Sequence, residues 1–236
     1  MGRGITAVGV FCGLLATPGL AQSQNISESE PAARGGRAAT PELQATKLQG
    51  PLPVLDGLLD EADWDRAAPA ETFTQFEPNE GASASQRTVA RVLYGEEALY
   101  VGIRAFDSAP DSIVSQLARR DERPHSDWLD VVIDSYHDRR TAFRFGVNPV
   151  GVKVDTYHFD DTNEDDSWDA VWDVATQRDA EGWTAEFRIP YSQLRFGSGD
   201  HQTWGINFVR EVARHQETSL WAPLSRGDGA IVSRFG

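Results

Sequence analysis

The stretch 160–173, DDTNEDDSWDAVWD, concentrates side chains that could bind a ligand. It holds seven carboxylates and two tryptophans, and no lysine or arginine. Asp161, Asn163 and Asp165 alternate along the chain, and calcium takes roughly six to eight oxygen ligands of this kind. The stretch lacks the glycine and the glutamate that complete an EF-hand loop. It therefore predicts a structural calcium site of another type, with a solvated acidic loop as the alternative.

Trp168 and Trp172 lie four residues apart, so they share a face on a strand or on a helical turn. Aromatic rings stack on the apolar faces of sugars, whose C–H groups meet the negative face of the ring. Trp172 opens a predicted strand, which favours a place in the core. Trp168, in the preceding loop, is the better ligand candidate. The other framework tryptophans, Trp64, Trp183 and Trp204, are predicted to be core residues.

Catalytic motifs are absent from the sequence. Neither GxSxG nor HExxH occurs, and the five histidines are scattered without ligand spacing. Glycosidases need two carboxylates about 5–10 Å apart, but sequence spacing does not establish such a pair. No catalytic residue is predicted, and a hydrolase ranks last among the functions considered for this segment.

Composition narrows the classes of partner. The 236-residue chain carries a formal net charge of -14, which disfavours nucleic acid and anionic lipid. Residues 1–21 combine Arg3, an apolar run over 5–16 and small residues at 19 and 21, which predicts a cleaved signal peptide. Cys12 lies within it, so the mature chain would have no disulfide. Residues 22–47 predict a flexible linker, and residues 48–236 a folded domain.

The domain is predicted to consist of short strands. After a short helix that starts near residue 60, strand patterns cover 88–94, 98–106, 128–136, 141–147, 150–157, 171–178, 183–189, 204–212 and 218–222. Residues 111–119 suggest a second short helix. Strands at spacings of roughly ten residues predict an all-β fold, a jelly-roll or immunoglobulin-like antiparallel β-sandwich.

Alternation along two of these strands separates a core face from a polar face. In 128–134, Asp130 and Trp128 share the face opposite the apolar residues. In 141–148, Arg144 and Asn148 likewise lie opposite the phenylalanines. These side chains are predicted to form a polar floor on one surface of the sandwich.

Six segments together resemble the family-9 carbohydrate-binding module, in the form found at the front of exported bacterial proteins. They are LDGLLDEADWDRA, ALYVGIRAFD, SDWLDVVIDSYHD, FRFGVNPVGVKVD, GWTAEFRIPYSQLRF and WGINFVRE, in the order of the family. The resemblance implies a jelly-roll-like sandwich that binds sugars, with structural calcium and a C-terminal region beyond residue 236. It assigns sugar contacts to Asp130, Arg144 and Asn148. The two tryptophans with which the family clamps its sugar have no counterpart at 123–125 or 225–229.

These observations leave three hypotheses for function. The first is a non-catalytic carbohydrate-binding module that holds a polysaccharide or oligosaccharide on Trp168, with Trp128 contributing and with Asp130, Arg144 and Asn148 bonding the hydroxyls. The second is a docking β-sandwich of an envelope protein that has lost sugar binding, which the missing clamp tryptophans favour. The third is part of a glycoside hydrolase. Export to the periplasm or the outer membrane is expected in each case.

Overall fold

The computed structural model describes residues 40–199, 201–227 and 229–235. The predicted signal peptide and most of the predicted linker lie outside these residues. Within the described part of the chain, no helix has the length and apolar character needed to cross a membrane.

Two β-sheets form the domain. The smaller sheet has the strand order β1-β3-β4-β10-β9, and the larger has the order β2-β12-β11-β5-β6-β7-β8. All neighbouring strands are antiparallel except β1 and β3. The strands are β1 (Thr46–Lys47), β2 (Thr74–Glu77), β3 (Thr88–Tyr94), β4 (Ala98–Phe106), β5 (Trp128–Asp134), β6 (Ala142–Val147), β7 (Lys153–Phe159), β8 (Asn163–Asp165), β9 (Asp173–Asp179), β10 (Gly182–Pro190), β11 (Gly205–Val212) and β12 (Glu217–Leu220). The predicted all-β sandwich is confirmed.

Helical structure is limited to short pieces in the described residues. The α-helix α1 spans Ala62–Arg66, and 3₁₀ turns occupy Pro110–Ser112, Tyr191–Gln193, Ala213–His215 and Val232–Arg234. The predicted helix over 111–119 is wrong, because only its start is helical. Beyond that turn the carbonyl of Val114 accepts bonds from the amide of Asp127 and the hydroxyl of Ser126. These long-range bonds hold the chain extended, so tertiary contacts override a weak local preference.

The core lies between the sheets and is rich in aromatic residues. Trp172 is 1% exposed, and its ring stacks on Phe187 of the smaller sheet at 5.8 Å. It also meets Phe145 of the larger sheet edge-on at 5.3 Å. Trp172 thus links the two layers. Trp64 and Trp183 are buried as predicted, and Trp204 is half-buried against the same core.

The N-terminal segment covers the outer face of the smaller sheet. Trp64 of α1 packs there with Leu93 and Tyr100 in a second apolar cluster. Gly57 has φ +83, and a Cβ there would lie 2.8 Å from the backbone carbon of Thr176. Only glycine fits this close approach to β9. The last residues of the predicted linker form β1, which pairs with the edge of β3.

Candidate functional site: a charged cluster on the outer face of the larger sheet

Asp130 lies near the middle of β5, on the face turned away from the core, and is fully buried. Its Oδ1 accepts a hydrogen bond from Nη1 of Arg123 at 3.0 Å, and its Oδ2 accepts one from Nη2 at 2.8 Å. Oδ2 also accepts a bond from Nη2 of Arg144 at 3.0 Å. Glu211 accepts a bond from Nη2 of Arg123 at 2.8 Å. These four side chains, the Asp130 cluster, form one network of two positive and two negative charges.

Strand pairing brings the cluster together. Asp130 lies opposite Gly146 of β6. Arg144 precedes Gly146 by two residues, so its side chain lies on the same face of the sheet. Glu211 of β11 lies opposite Trp128, two residues before Asp130. The fourth member, Arg123, comes from segment 113–127, which crosses this face before it enters β5.

The members of the Asp130 cluster differ in their exposure to solvent. The side chains of Arg123, Arg144 and Glu211 are 28%, 22% and 30% exposed, whereas that of Asp130 is inaccessible. Asp130 is therefore the base of the network, and the other three groups present it to solvent.

The charges of the two arginines dominate the protonation of Asp130. Burial by itself would raise the pKa of this carboxyl, but the guanidinium groups of Arg123 and Arg144 hold the pKa well below the ordinary value of 3.8. Burial would likewise lower the pKa of Arg123, and the carboxylates of Asp130 and Glu211 raise it instead. Both shifts favour the charged forms of Asp130 and Arg123. A carboxyl that stays ionised is a poor general acid, so Asp130 does not suit the acid role in glycoside hydrolysis.

Trp128 forms part of the floor beside the cluster. It is 1% exposed, its ring lies 4.3 Å below the guanidinium carbon of Arg123, and its Nε1 donates to the carbonyl of Pro124. A cleft of about 350 Å³ opens next to it. The lining comprises Glu77, Arg123, Pro124, His125, Ser126, Trp128, Glu211, Val212, Ala213, Gln216, Glu217 and Thr218. The Asp130 cluster and this cleft share Arg123 and Glu211, so they form one continuous surface.

Asn148 lies on the same face but has a different role. It is fully buried, and its Oδ1 accepts bonds from the amides of Val150 and Val152. Its Nδ2 donates to the carbonyl of Gln116 and to the hydroxyl of Ser126. The side chain holds the β6–β7 turn against segment 113–127, and these bonds leave it no free donor.

Trp168 lies on the other side of the larger sheet from the Asp130 cluster. Its ring contacts Phe143 at 5.0 Å and Phe145 at 5.8 Å, and both phenylalanines face the core. Arg144 lies between them in β6 and points outward, because side chains alternate along a strand. The structure therefore groups Asp130, Arg144 and Trp128, and separates Trp168 from them.

Two carboxylates of the acidic stretch 160–173 accept hydrogen bonds from the protein itself. The carboxylate of Asp161 accepts bonds from the amides of Ile231 and Ser233 and from the hydroxyl of Ser233. Oδ1 of Asp165 accepts bonds from the amide and the hydroxyl of Ser167. Asn163 is exposed in β8, a strand that the sequence reasoning assigned to the loop. Both oxygens of Asp161 and one oxygen of Asp165 thus already accept hydrogen bonds from the protein, so the three residues offer fewer free oxygens than their spacing suggests. Calcium binding at 161, 163 and 165 stays a prediction.

Sequence reasoning missed Arg123 and Glu211. Alternation along β11 places Glu211 on the face opposite the buried residues Phe208 and Val212, because it lies an odd number of residues from both. Nothing in the sequence pairs β11 with β5, however. Arg123 precedes β5 by five residues in an irregular segment, where no periodicity predicts the direction of a side chain.

A serine–histidine contact outside this surface does not form a catalytic triad. Oγ of Ser85 lies 3.0 Å from Nδ1 of His215. The neighbouring carboxylate, Glu217, accepts a bond from the backbone amide of Ser85 and not from the imidazole. A triad requires the acid to orient the histidine.

Gly146 is the position at which the backbone makes room for Asp130. A Cβ at residue 146 would overlap Oδ1 of Asp130 and would lie 2.8 Å from Cγ2 of Val154. We expect Gly146→Ala to displace the carboxylate from Arg123 and to lower the free energy of unfolding by about 1–3 kcal/mol. Urea denaturation checks this, with Gly197→Ala as control because nothing lies within 4 Å of a Cβ there. Equal stability of the two variants would contradict the packing argument.

The sequence of the domain matches a known protein family. The family model for carbohydrate family 9 binding domain-like proteins matches residues 55–217. This match covers most of the chain, and the chain belongs to that family. The comparison with curated proteins gives no match.

Solved structures share the fold. A family 9 carbohydrate-binding module from Caldicellulosiruptor kristjanssonii in complex with cellotriose is 17% identical, with a TM-score of 0.59 over 82% of this chain and 91% of that chain. A module of the same family and organism in complex with glucose is 17% identical, with a TM-score of 0.56 over 82% and 93% of the two chains. A protein from Bacteroides uniformis is 12% identical, with a TM-score of 0.63 over 81% and 95%. At these identities the likeness concerns the fold.

Proposed function

We propose that this domain binds an oligosaccharide on the outer face of the larger sheet, at the Asp130 cluster and the cleft beside it. The observation that carries the proposal is the cluster itself, in which a buried carboxylate orders two partly exposed arginines and a glutamate at the edge of a cleft. Small-molecule sites combine a concave surface with a few fixed polar groups in this way.

The chemistry of the cluster suits sugar hydroxyls. A guanidinium is a planar donor, and the two bonds to Asp130 fix the plane of Arg123 before a ligand arrives. A single bond to Asp130 holds Arg144 beside it. Glu211 supplies acceptor oxygens next to these donors. Adjacent hydroxyls of a sugar both donate and accept, so they match a surface on which donors and acceptors alternate.

The nature of the ligand is suggested by the relatives. The two Caldicellulosiruptor modules were solved with cellotriose and with glucose. We infer that β-linked glucose oligosaccharides are the first ligands to test. Binding would be weak, with a Kd on the order of micromolar to millimolar, because the one tryptophan that lines the cleft is buried beneath Arg123.

The two possible binding surfaces are distinguished by a pair of substitutions. We expect Arg144→Ala to weaken binding of cello-oligosaccharides roughly 10–100-fold, since it removes a charged donor from the cluster. Trp168→Ala is expected to leave the affinity unchanged. Isothermal titration calorimetry with cellotriose and longer oligomers measures both.

Arg188→Ala is the matched control, because Arg188 lies on β10 of the smaller sheet and, among the described residues, its ion pair is an exposed contact of 3.5 Å with Asp173. The reverse result, in which Trp168→Ala abolishes binding and Arg144→Ala does not, would move the site to Trp168.

A docking domain is the second candidate. It is favoured by the absence of an exposed aromatic ring among the cleft residues, and by three exposed apolar side chains, Leu52, Val54 and Leu58, in the N-terminal segment. Such side chains mark protein-binding surfaces when they are contiguous. Failure of the folded protein to bind any member of a glycan array at millimolar concentration would favour this candidate.

The cellular setting belongs to the same proposal. We propose that the protein is exported to the periplasm or the outer membrane, and that the domain targets a larger protein to polysaccharide without cleaving it. The sequence of residues 1–21 supports export. Mass spectrometry of the protein from fractionated Gram-negative cells tests it, because a chain that retains residues 1–21 in the cytoplasm would contradict export.

A further inference from the structure

The cleft beside the Asp130 cluster is lined by a row of paired residues that carries two carboxylates. Glu211 of β11 lies opposite Thr218 of β12, and Thr218 lies opposite Glu77 of β2. Directly paired residues place their side chains on the same face of a sheet, and all three residues line the cleft. Neighbouring strands are about 4.8 Å apart, so the backbones of Glu211 and Glu77 lie roughly 10 Å from each other.

A third carboxylate, that of Glu217, lines the same cleft although the residue is only 4% exposed. Its Oε1 accepts a hydrogen bond from the amide of Ser85 at 2.9 Å. Its Oε2 accepts no hydrogen bond from the described residues and keeps contact with solvent. A buried side chain seldom keeps a polar atom without a partner. This oxygen is therefore an acceptor that the cleft offers to a ligand.

The protein does not balance the charge of the cleft. The described residues that line it include three glutamates, one arginine and one histidine. The arginine, Arg123, is already shared between Asp130 and Glu211. Within the part of the chain that the structure describes, neither Glu77 nor Glu217 forms an ion pair.

Two neighbouring arginines leave this excess of negative charge in place. Arg226 approaches the β2 end of the cleft, but its guanidinium pairs with Glu80 at 3.2 Å. Arg210, whose charge interacts with that of Glu217, is fully buried and donates its hydrogen bonds to two carbonyls and a hydroxyl of the smaller sheet. A concave surface with an excess of one charge concentrates ligands of the opposite charge.

We propose that Glu77 and Glu217 bind the protonated amine of an amino sugar, so that the ligand of this surface is an oligosaccharide of β-linked glucosamine. An ammonium group is a donor only, with three N–H bonds, and it suits two carboxylates on either side of a hydroxyl. In the described residues no three acidic, histidine or cysteine side chains are placed to hold a metal ion together, which favours an organic cation. The inference rests on the proposed function, because the Asp130 cluster must bind the hydroxyls of the same sugar.

Three β-linked trisaccharides test the proposal, because their rings have the same configuration and differ only at the second carbon. The glucosamine trimer carries an ammonium group there at about pH 6, cellotriose a hydroxyl, and the N-acetylglucosamine trimer an uncharged amide. We expect calorimetric titration of the full chain in dilute buffer to give the glucosamine trimer a Kd roughly 10-fold lower than that of the other two. The preference should shrink in about 0.5 M NaCl, because salt screens the attraction.

Substitutions assign this preference to the cleft. Glu77→Gln and Glu217→Gln should each bring the ratio of the Kd for cellotriose to the Kd for the glucosamine trimer close to one, because the amide keeps the size and removes the charge. Glu77 is exposed, so its variant does not depend on a buried hydrogen bond. Thermal unfolding shows whether Glu217→Gln keeps the fold. Glu96→Gln, in the exposed β3–β4 turn of the smaller sheet, is the control and should keep the ratio.

The outcomes separate this inference from the proposed function. Equal Kd values for the glucosamine trimer and cellotriose would overturn the inference and leave the sugar site in place. Absence of binding for every trisaccharide would overturn both. A preference that survives in both cleft variants would place the amine elsewhere and would overturn the inference. Trilysine that binds as tightly as the glucosamine trimer would show that the cleft binds cations without a sugar, and would overturn it as well.

Discussion

Asp130→Asn is expected to lower the free energy of unfolding by about 2–4 kcal/mol and to abolish detectable binding of oligosaccharides. The substitution keeps the volume of the side chain but removes the charge that holds both arginines. Arg123 and Arg144 would then repel each other above the sheet, and an amide offers a donor where two donors already point. The loss of binding follows because the two guanidinium groups no longer keep fixed positions.

The effect of this substitution depends on pH in a defined direction. Because the pKa of Asp130 in the folded protein lies below its ordinary value of 3.8, its contribution to stability is complete above pH 3.8 and is lost as the pH falls through lower values. The wild type should therefore lose stability on acidification more steeply than Asp130→Asn. Urea unfolding at pH 7 and at several values below 4 measures the difference.

Asp179→Asn is the control for the charge change. Asp179 also pairs with an arginine, Arg104, but its side chain is 50% exposed. We expect a cost of less than about 1 kcal/mol, as for other exposed ion pairs. Similar costs for the two variants would show that burial of Asp130 does not determine its contribution.

Trp172→Ala is expected to destabilise the protein by about 3–5 kcal/mol. The ring fills the space between Phe145 of the larger sheet and Phe187 of the smaller one. Its Nε1 also donates to Oδ1 of the buried Asp155 at 3.0 Å. The substitution therefore leaves a cavity between the layers and removes a donor from a buried carboxylate.

Two further substitutions separate the contribution of packing from that of the hydrogen bond. Trp172→Phe keeps most of the packing and loses the hydrogen bond, for which we expect a cost of about 1–3 kcal/mol. Trp168→Ala, at a partly exposed position on the same core, should cost about 1–2 kcal/mol. Chemical denaturation of the three variants gives the order. A larger loss for Trp168→Ala than for Trp172→Ala would contradict the role of Trp172 as the link between the sheets.

The local sequence pattern was sufficient to predict the positions of most of the strands. The predicted ranges 88–94 and 98–106 coincide with β3 and β4, because alternation of apolar residues and a short turn both report on the backbone directly. β2 and β8 were missed, as was the two-residue β1 in the predicted linker. Their residues TQFE and NED have no apolar alternation, and they become strands only because β12 and β7 offer them an edge with which to pair.

Site residues could be predicted only where alternation along a single strand indicates the direction of the side chain. Alternation placed Asp130 and Arg144 on the face opposite the core, and the structure joins them by a hydrogen bond of 3.0 Å. Alternation does not predict the direction of the Trp168 side chain, because Trp168 lies outside a strand and its direction depends on the path of the loop. Asn148 was assigned to the correct face, but the turn uses its whole bonding capacity.

The fold class, the family resemblance and the polar character of one sheet face could all be predicted from local patterns, because periodicity and ordered motifs are properties of neighbouring residues. Which charged side chains contact each other could not be predicted in this way. Arg123 and Asp130 are seven residues apart, Glu211 is 88 residues from Arg123, and Glu186 is 129 residues from Gly57. Such contacts depend on strand order and loop path. These are set by the burial of the whole core, and no local window of the sequence contains them.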